Sequence, residues 1–132
     1  MLIQPNILFL CVHNAGRSQM AAGFAREIGG DKIKVWSGGS EPASQINKIA
    51  IQAMNEIGID ISAQIPAKWS DSDIAQADVV ITMGCGDTCP FVAGKRYEDW
   101  QLNDPAGQDI DAVRIIRDDI RIRVAALIDS LI

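Results

Sequence analysis

The sequence predicts an α/β fold with three layers, in which a four-stranded parallel sheet is flanked by helices. Short apolar segments typical of buried strands alternate with longer segments of helical periodicity. They follow one another in the order that builds parallel sheets. A loop of small and polar residues follows the first strand, where such sheets place their ligands. A chain of 132 residues is long enough for one core, so residues 1–132 are expected to form a single domain.

The amino-terminal third is predicted to contain two strands and one helix. Residues 1–10 end in an apolar run and form the first strand, which is expected at the centre of the sheet. Residues 17–28 repeat apolar side chains at helical spacing, and the glycines at 29–30 favour an end to this helix. Residues 32–37 alternate polar and apolar side chains, which predicts a second strand. Residues 38–42 then form a loop.

The middle of the chain is predicted to contain one helix, a connection, a short helix and a strand. Residues 46–57 carry an apolar stripe, and Gly58 is expected to end the helix that they form. Residues 59–70 connect this helix to a short one at 71–77. Residues 77–83 are rich in β-branched side chains and predict the third strand.

The last third is predicted to complete the sheet and to cover it with a long helix. Residues 84–94 are rich in glycine and are expected to be the most mobile part of the chain. Residues 95–102 contain the fourth strand, and 103–107 form a loop. Residues 109–131 form the closing helix, whose early acids suit its amino-terminal dipole. The loops at 38–45, 84–94 and 103–107 are expected to converge on the loop that follows the first strand.

Charged residues on the closing helix give two further expectations. Arg114 and Asp118 stand four residues apart and are predicted to form an ion pair. Arg114, Arg117 and Arg121 are interpreted as one solvated face of the helix.

Composition excludes several classes of partner. The net charge of −5 argues against nucleic acid, and it requires any anionic substrate to be held by local groups. Neither a membrane-spanning run nor a secretion signal is evident, so no membrane partner is expected. Three cysteines without a secretion signal favour reactive thiols in the cytoplasm over a disulfide framework. No bound cofactor and no metal site are expected.

The stretch from Cys11 to Ser18 concentrates the chemistry of the chain. Cys11 ends the first strand, and Arg17 follows six positions later at the start of a helix. A loop of this kind aims successive N–H groups at one point, and the helix dipole there favours a thiolate. Arg17 offers a planar fork to a tetrahedral oxyanion, and Ser18 is well placed to hydrogen-bond the sulfur. The expected oxyanion-binding residues are Val12, His13, Asn14, Ala15, Gly16 and Arg17. His13 is expected to contribute its backbone amide more than its ring.

This stretch resembles the phosphate-binding loop of the low-molecular-weight protein tyrosine phosphatase fold. The longer string Cys-Val-His-Asn-Ala-Gly-Arg-Ser-Gln-Met-Ala is more similar to the arsenate reductases built on that fold. The resemblance covers nearly the whole chain and includes Asp104-Pro105-Ala106-Gly107. It implies that Cys11 attacks arsenate as a nucleophile, that Arg17 and the loop amides stabilise charge, and that Asp104 protonates the leaving group.

Cys85 and Cys89 leave the reductant open between two routes. In thioredoxin-coupled reductases, two later cysteines form an internal relay that ends in a disulfide presented to thioredoxin. Here only three residues separate the two cysteines, fewer than in that pattern, and Cys85 falls one place beyond its expected position. The shorter loop favours an external low-molecular-weight thiol such as mycothiol. That thiol would form a thiol–arsenic conjugate for a glutaredoxin-like partner.

Three alternatives stay open at this point. The first is a thioredoxin-coupled reductase, in which Cys85 and Cys89 form an internal redox relay. A low-molecular-weight protein tyrosine phosphatase shares the first chemical step, although Ala106 stands where those enzymes usually carry tyrosine. A non-enzymatic oxyanion-binding module would use the loop without turnover.

Overall fold

The structure, a computed structural model, describes residues 4–84 and 94–132. Within these ranges the chain forms one four-stranded sheet in the order β2-β1-β3-β4, and every pair of neighbouring strands is parallel. The strands are β1 Asn6–Cys11, β2 Lys34–Gly39, β3 Val79–Thr82 and β4 Arg96–Asp99. The α-helices are α1 Arg17–Gly29, α2 Lys48–Asn55, α3 Asp71–Gln76 and α4 Ile110–Leu131.

Alternating side chains of β1 pack into two cores, one on each face of the sheet. Ile7 and Phe9 are fully buried with apolar residues of α1, α2 and α4, whereas Leu8 and Leu10 are buried with Ile74 of α3. This is the period of two expected for a central strand. The three-layer parallel sheet predicted from the sequence is therefore confirmed.

Strand register places the end of β1 beside the end of β2. Cys11 pairs with Gly39, and Leu10 pairs with Gly38. A Cβ atom on Gly39 would lie 2.6 Å from the carbonyl oxygen of Val12, so the close approach of the two strand ends requires glycine there. The carboxyl end of β1 is thus held against its neighbour where the reactive loop begins.

Several predicted boundaries were wrong by a few residues. The second strand was predicted at 32–37, but residues Gly30–Lys32 form a 3₁₀ turn and the strand begins at Lys34. It continues through Gly38 and Gly39, which were predicted as loop, because parallel pairing with β1 outweighs the turn preference of glycine. The expectation of mobility for 84–94 falls mainly on residues outside the described ranges.

The charge pattern of α4 also differs from the prediction. Arg114 contacts Asp111 (Nη1–Oδ1, 2.8 Å) and Glu56, and it is Arg117 that contacts Asp118 (Nε–Oδ1, 2.8 Å). Long side chains on a helix lean toward its amino terminus, so Arg114 reaches back one turn to Asp111. The predicted pair of Arg114 with Asp118 is therefore wrong.

The sequence pattern placed Arg117 on a solvated face of α4, and this prediction is wrong. Arg117 is 8% exposed, and its guanidinium donates to the carbonyl oxygen of Ala53 (2.9 Å) and to Glu56 (2.9 Å). Hydrogen bonding from Arg114 holds the pKa of Glu56 below its usual value. Because this carboxylate is favoured in the folded state, its contribution to stability is lost as the pH falls through its titration range. These contacts hold α2 against α4.

Candidate active site

The loop after β1 turns its N–H groups inward because its carbonyl groups are bonded outward. The carbonyl oxygens of Val12, His13 and Ala15 accept hydrogen bonds from backbone N–H groups of the segment 41–47, at 2.8 to 2.9 Å. In a planar trans peptide each N–H points opposite to the preceding carbonyl. The amides of His13, Asn14 and Gly16 are therefore directed away from that segment, toward the concave side of the loop.

Asn14 adopts the left-handed conformation (φ 49°), alone among the described non-glycine residues. Asparagine tolerates this conformation better than most residues. The turn brings the backbone N–H of Asn14 to 3.2 Å from the sulfur of Cys11, to which it donates. Cys11 itself is 2% exposed, so its sulfur is largely shielded from solvent.

Ser18 lies within hydrogen-bond distance of the sulfur of Cys11 and donates to it when Cys11 is a thiolate. Ser18 Oγ lies 2.9 Å from Cys11 Sγ. The backbone N–H of Ala67 donates to Asn14 Oδ1 (3.0 Å), so the amide nitrogen of Asn14 faces Ser18 and donates to its Oγ (2.7 Å). A thiolate has no proton to give, so in that state the hydroxyl of Ser18 is the donor and the sulfur accepts. Two donors to sulfur stabilise a thiolate.

Arg17 and Asp104 stand side by side at the mouth of the loop. Arg17 is 8% exposed and donates through Nη1 to the carbonyl oxygen of Leu102 (3.3 Å). Its Nη2 lies 3.7 Å from Oδ2 of Asp104, whose side chain is half exposed. The other carboxylate oxygen of Asp104 accepts the N–H of Ala106 (2.9 Å). This leaves Oδ2 of Asp104 beside the guanidinium.

These groups line one cavity of about 160 Å³. Its walls come from the loop after β1, the segment before α2 and the loop after β4. The lining residues are Cys11, His13, Ala15, Gly16, Arg17, Ala43, Asn47, Asp104, Pro105 and Ala106. A Cβ atom on Gly16 would lie 2.5 Å from Cγ of Pro105, so glycine at this position lets the Asp104 loop close over the nucleophile.

The structure brings together four residues that the sequence analysis named for the site: Cys11, Ser18, Arg17 and Asp104. The loops at 38–45 and 103–107 both contribute to the cavity through Ala43 and Pro105. His13 lines the cavity as well, and Nδ1 of its ring lies 3.0 Å from the carbonyl oxygen of Glu41. Cys85 and Cys89, the candidate relay, lie outside the described residues.

Sequence reasoning expected Asn14 only among the oxyanion-binding residues, and it missed two contributions. The side chain of Asn14 accepts from the N–H of Ala67, a residue of a distant connection, and donates to Ser18. Asn47 lines the cavity and also caps α2 by accepting the N–H of Ile49 (2.8 Å). An asparagine directly before an apolar helical stripe is a capping signal that could have pointed to Asn47.

Gly84 leaves room for the guanidinium of Arg17, and its replacement by alanine should weaken anion binding. A Cβ atom at Gly84 would lie 2.5 Å from Nη1 of Arg17, and the flexible guanidinium, not the backbone, would yield. We expect the Kd for phosphate to rise about tenfold, the effect of one misplaced charge-assisted hydrogen bond. Calorimetric titration measures this value.

Gly94→Ala is the matched control for this prediction. Gly94 has a similarly positive φ (92°, against 80° for Gly84), but a Cβ atom there would meet no atom within 4 Å. Both variants carry the backbone strain of a non-glycine residue at positive φ. Equal anion affinities in the two variants would contradict the role given to Gly84.

Comparison with known proteins gives a consistent result. The family model described as low molecular weight phosphotyrosine protein phosphatase matches residues 6–132. A glutaredoxin arsenate reductase of Synechocystis sp. is 42% identical over 128 residues, which cover 95% of this chain and 97% of that protein.

Solved structures of arsenate reductases resemble the chain with similar sequence identities. The thioredoxin-dependent arsenate reductase of Corynebacterium glutamicum is similar with a TM-score of 0.85 and 42% identity over 96% of this chain, which spans 61% of that longer protein. An arsenate reductase in a phosphate-binding state gives a TM-score of 0.86 and 38% identity, with 96% and 98% of the two chains covered.

Proposed function

Since the chain belongs to the low molecular weight phosphotyrosine protein phosphatase family, and to the arsenate reductases within it, we propose that it reduces arsenate with Cys11 as the nucleophile. The observation that carries this proposal is the shared cavity of Cys11, Arg17 and Asp104. A sulfur that accepts two hydrogen bonds, a guanidinium and a half-exposed carboxyl group are thereby placed around a space suited to one tetrahedral oxyanion.

The first step is displacement at arsenic without a change of oxidation state. The thiolate of Cys11 forms a sulfur–arsenic bond, and one arsenic–oxygen bond breaks. Asp104, in its protonated form, gives its proton to the departing oxygen, which leaves as water. Arg17 and the inward N–H groups of the loop hold the remaining oxygens. The product is a pentavalent arsenic adduct on Cys11.

The reducing step follows the external route in our proposal. A low-molecular-weight thiolate attacks arsenic and releases Cys11 as a thiolate, so the conjugate still contains pentavalent arsenic. A second thiol, from a glutaredoxin-like partner, then attacks the sulfur of the conjugate. A disulfide forms, the electron pair of the sulfur–arsenic bond passes to arsenic, and arsenite departs. The similarity to a glutaredoxin arsenate reductase supports a partner of this class, and mycothiol is one candidate for the small thiol.

The internal route is the alternative for the same reaction. Cys85 or Cys89 would attack the sulfur of Cys11, and the disulfide would form within the chain as arsenite leaves. The resulting disulfide would then pass to thioredoxin. The similarity to a thioredoxin-dependent reductase favours this alternative.

Phosphatase activity is a second candidate, because the matching family model carries that description. The first step is the same with phosphorus in place of arsenic, and water would complete the hydrolysis. Ala106 lines the cavity where an aromatic side chain would help to hold a phosphotyrosine ring. The small side chain favours a small inorganic oxyanion over an aryl phosphate.

A panel of reductants tests the proposal. We expect arsenate turnover with a small thiol and a glutaredoxin, and we expect Cys85→Ser and Cys89→Ser to keep most of the wild-type rate in that assay. Turnover only with thioredoxin, and its loss in either variant, would establish the internal route instead. Hydrolysis of an aryl phosphate without any thiol, at a rate above arsenate turnover, would favour the phosphatase.

A further inference from the structure

Three polar side chains outside the active-site cavity form a chain of hydrogen bonds that ends on Asn14. Arg26 of α1 donates through Nη1 to Oε1 of Gln64 (2.7 Å). Gln64 donates through Nε2 to Oε1 of Gln19 (2.6 Å). Gln19, which is 1% exposed, donates through Nε2 to the backbone oxygen of Asn14 (2.9 Å). The chain links a connecting segment to the loop of the nucleophile.

Arg26, at the end of the chain of hydrogen bonds that is farthest from Asn14, fixes the direction of all of them. An arginine can only donate, so Arg26 requires the carbonyl oxygen of Gln64 to face it. The amide nitrogen of Gln64 must then face Gln19 and donate to its oxygen. Gln19 is left with its own nitrogen toward Asn14, where a carbonyl oxygen needs a donor. Reversal of any one amide would set two acceptors or two donors against each other.

Asn14 depends on such support because its backbone is in a left-handed conformation. Its carbonyl group is held by Gln19, and its side chain is held by Ala67. The same residue donates its backbone N–H to Cys11 and its amide to Ser18. A shift of Asn14 would therefore weaken both hydrogen bonds that the sulfur accepts.

We propose that Gln64 is a positioning residue for the nucleophile: by donating to Gln19, it fixes Asn14 in the geometry that activates Cys11. Gln64 touches neither the sulfur nor the cavity. Its influence passes through Gln19 and Asn14, and it requires a donor at this position, because an acceptor would turn Gln19 away from Asn14. The inference rests on the proposed function only for the role of Cys11.

The test compares Gln64→Met with Gln64→Glu in a Cys85→Ser/Cys89→Ser background, so that alkylation by iodoacetamide reports on Cys11 alone. Both replacements keep the length of the side chain, and neither can donate to Gln19. We expect the alkylation rate at neutral pH and the thiolate absorbance to fall roughly three- to tenfold in both, the factor of about one net hydrogen bond. Chemical unfolding should show stability close to that of the background protein.

Gln76 provides matched controls, since it is an exposed glutamine whose Nε2 donates to Ser72 on α3 (2.9 Å). Gln76→Met and Gln76→Glu should leave alkylation unchanged. A wild-type rate in Gln64→Met overturns the inference. Slow alkylation in Gln64→Glu alone also overturns it, because the carboxylate charge would then be the cause.

Arg26→Met keeps the inference testable if the Gln64 variants do not fold. Arg26 is exposed, and its loss removes the donor that sets the direction of the chain. Alkylation should slow in Arg26→Met and should recover in Arg26→Lys, and equal rates in both would overturn the inference. Protection of Cys11 by arsenate in the background protein tests the proposed function separately. If arsenate fully protects Cys11 in the background protein and the Gln64 variants are alkylated at the background rate, only this inference is overturned.

Discussion

Replacing Cys11 by serine should abolish arsenate turnover with every reductant. The loss should exceed about 10⁴-fold, as when the nucleophile of a covalent mechanism is removed. A hydroxyl group forms no redox-active bond to arsenic and is a poor nucleophile without a base. The side chain of Cys11 is 2% exposed, and serine is slightly smaller, so the fold should persist. Arsenite production followed under each reductant measures the effect.

A measurement of anion binding distinguishes loss of the nucleophile from unfolding of the Cys11→Ser variant. Phosphate titrated into Cys11→Ser should bind with nearly wild-type affinity, because Arg17 and the loop amides do not change. Measurable arsenite production in this variant would place the nucleophile elsewhere in the chain. Lost phosphate affinity would mean that the substitution disturbs the loop, and turnover would then have to be examined in Cys11→Ala.

The site could be predicted from the sequence where its contacts are local. Cys11, Arg17 and Ser18 lie within eight residues, and a strand followed by a helix fixes how such a loop curls. Asp104 needed more than local pattern, because an Asp-Pro pair is an ordinary turn signal. Its place followed from the family resemblance. In the structure, Oδ2 of Asp104 lies 3.7 Å from Nη2 of Arg17.

The support of the loop could not be predicted, because it comes from residues distant in sequence. Ala67 and Gln64 lie in a connection without periodicity, and their contacts with Asn14 and Gln19 depend on how that connection crosses the sheet. Gly39 shows how this happens: its N–H donates to the carbonyl oxygen of Ala67 (2.9 Å). This bond attaches the connection to β2 beside the active loop. Nothing in the composition of residues 59–70 indicates such an attachment.

The same limit explains the error on α4. A helix pattern shows which residues share a face, but the partner of a charged side chain is set by the neighbouring helix. Glu56 lies just after α2 and draws Arg114 and Arg117 toward it. The closeness of α2 and α4 is a tertiary fact, so Arg117 became a buried contact where the sequence pattern favoured solvent.

Asp104→Asn should lower kcat for arsenate about 10²- to 10³-fold, the range of general acid catalysis, and leave phosphate affinity nearly unchanged. Asparagine keeps an oxygen for the N–H of Ala106 and therefore preserves the turn. It cannot supply a proton to the departing oxygen. Arg17 retains its hydrogen bond to the carbonyl oxygen of Leu102. Steady-state kinetics and phosphate titration measure the two quantities.

Asp109→Asn is the control for charge and for turn geometry. Asp109 caps α4 by accepting the N–H of Ala112 (2.9 Å), and asparagine caps a helix equally well. This variant loses one negative charge close to Asp104 in the sequence but should keep the wild-type kcat. The split between kcat and affinity also decides between two roles of Asp104. A raised KM with an unchanged kcat would mean that Asp104 only positions Arg17. If both kcat and KM stay unchanged, Asp104 takes no part in the reaction. A fall in kcat alone supports an enzyme, because a binding module has no turnover to slow.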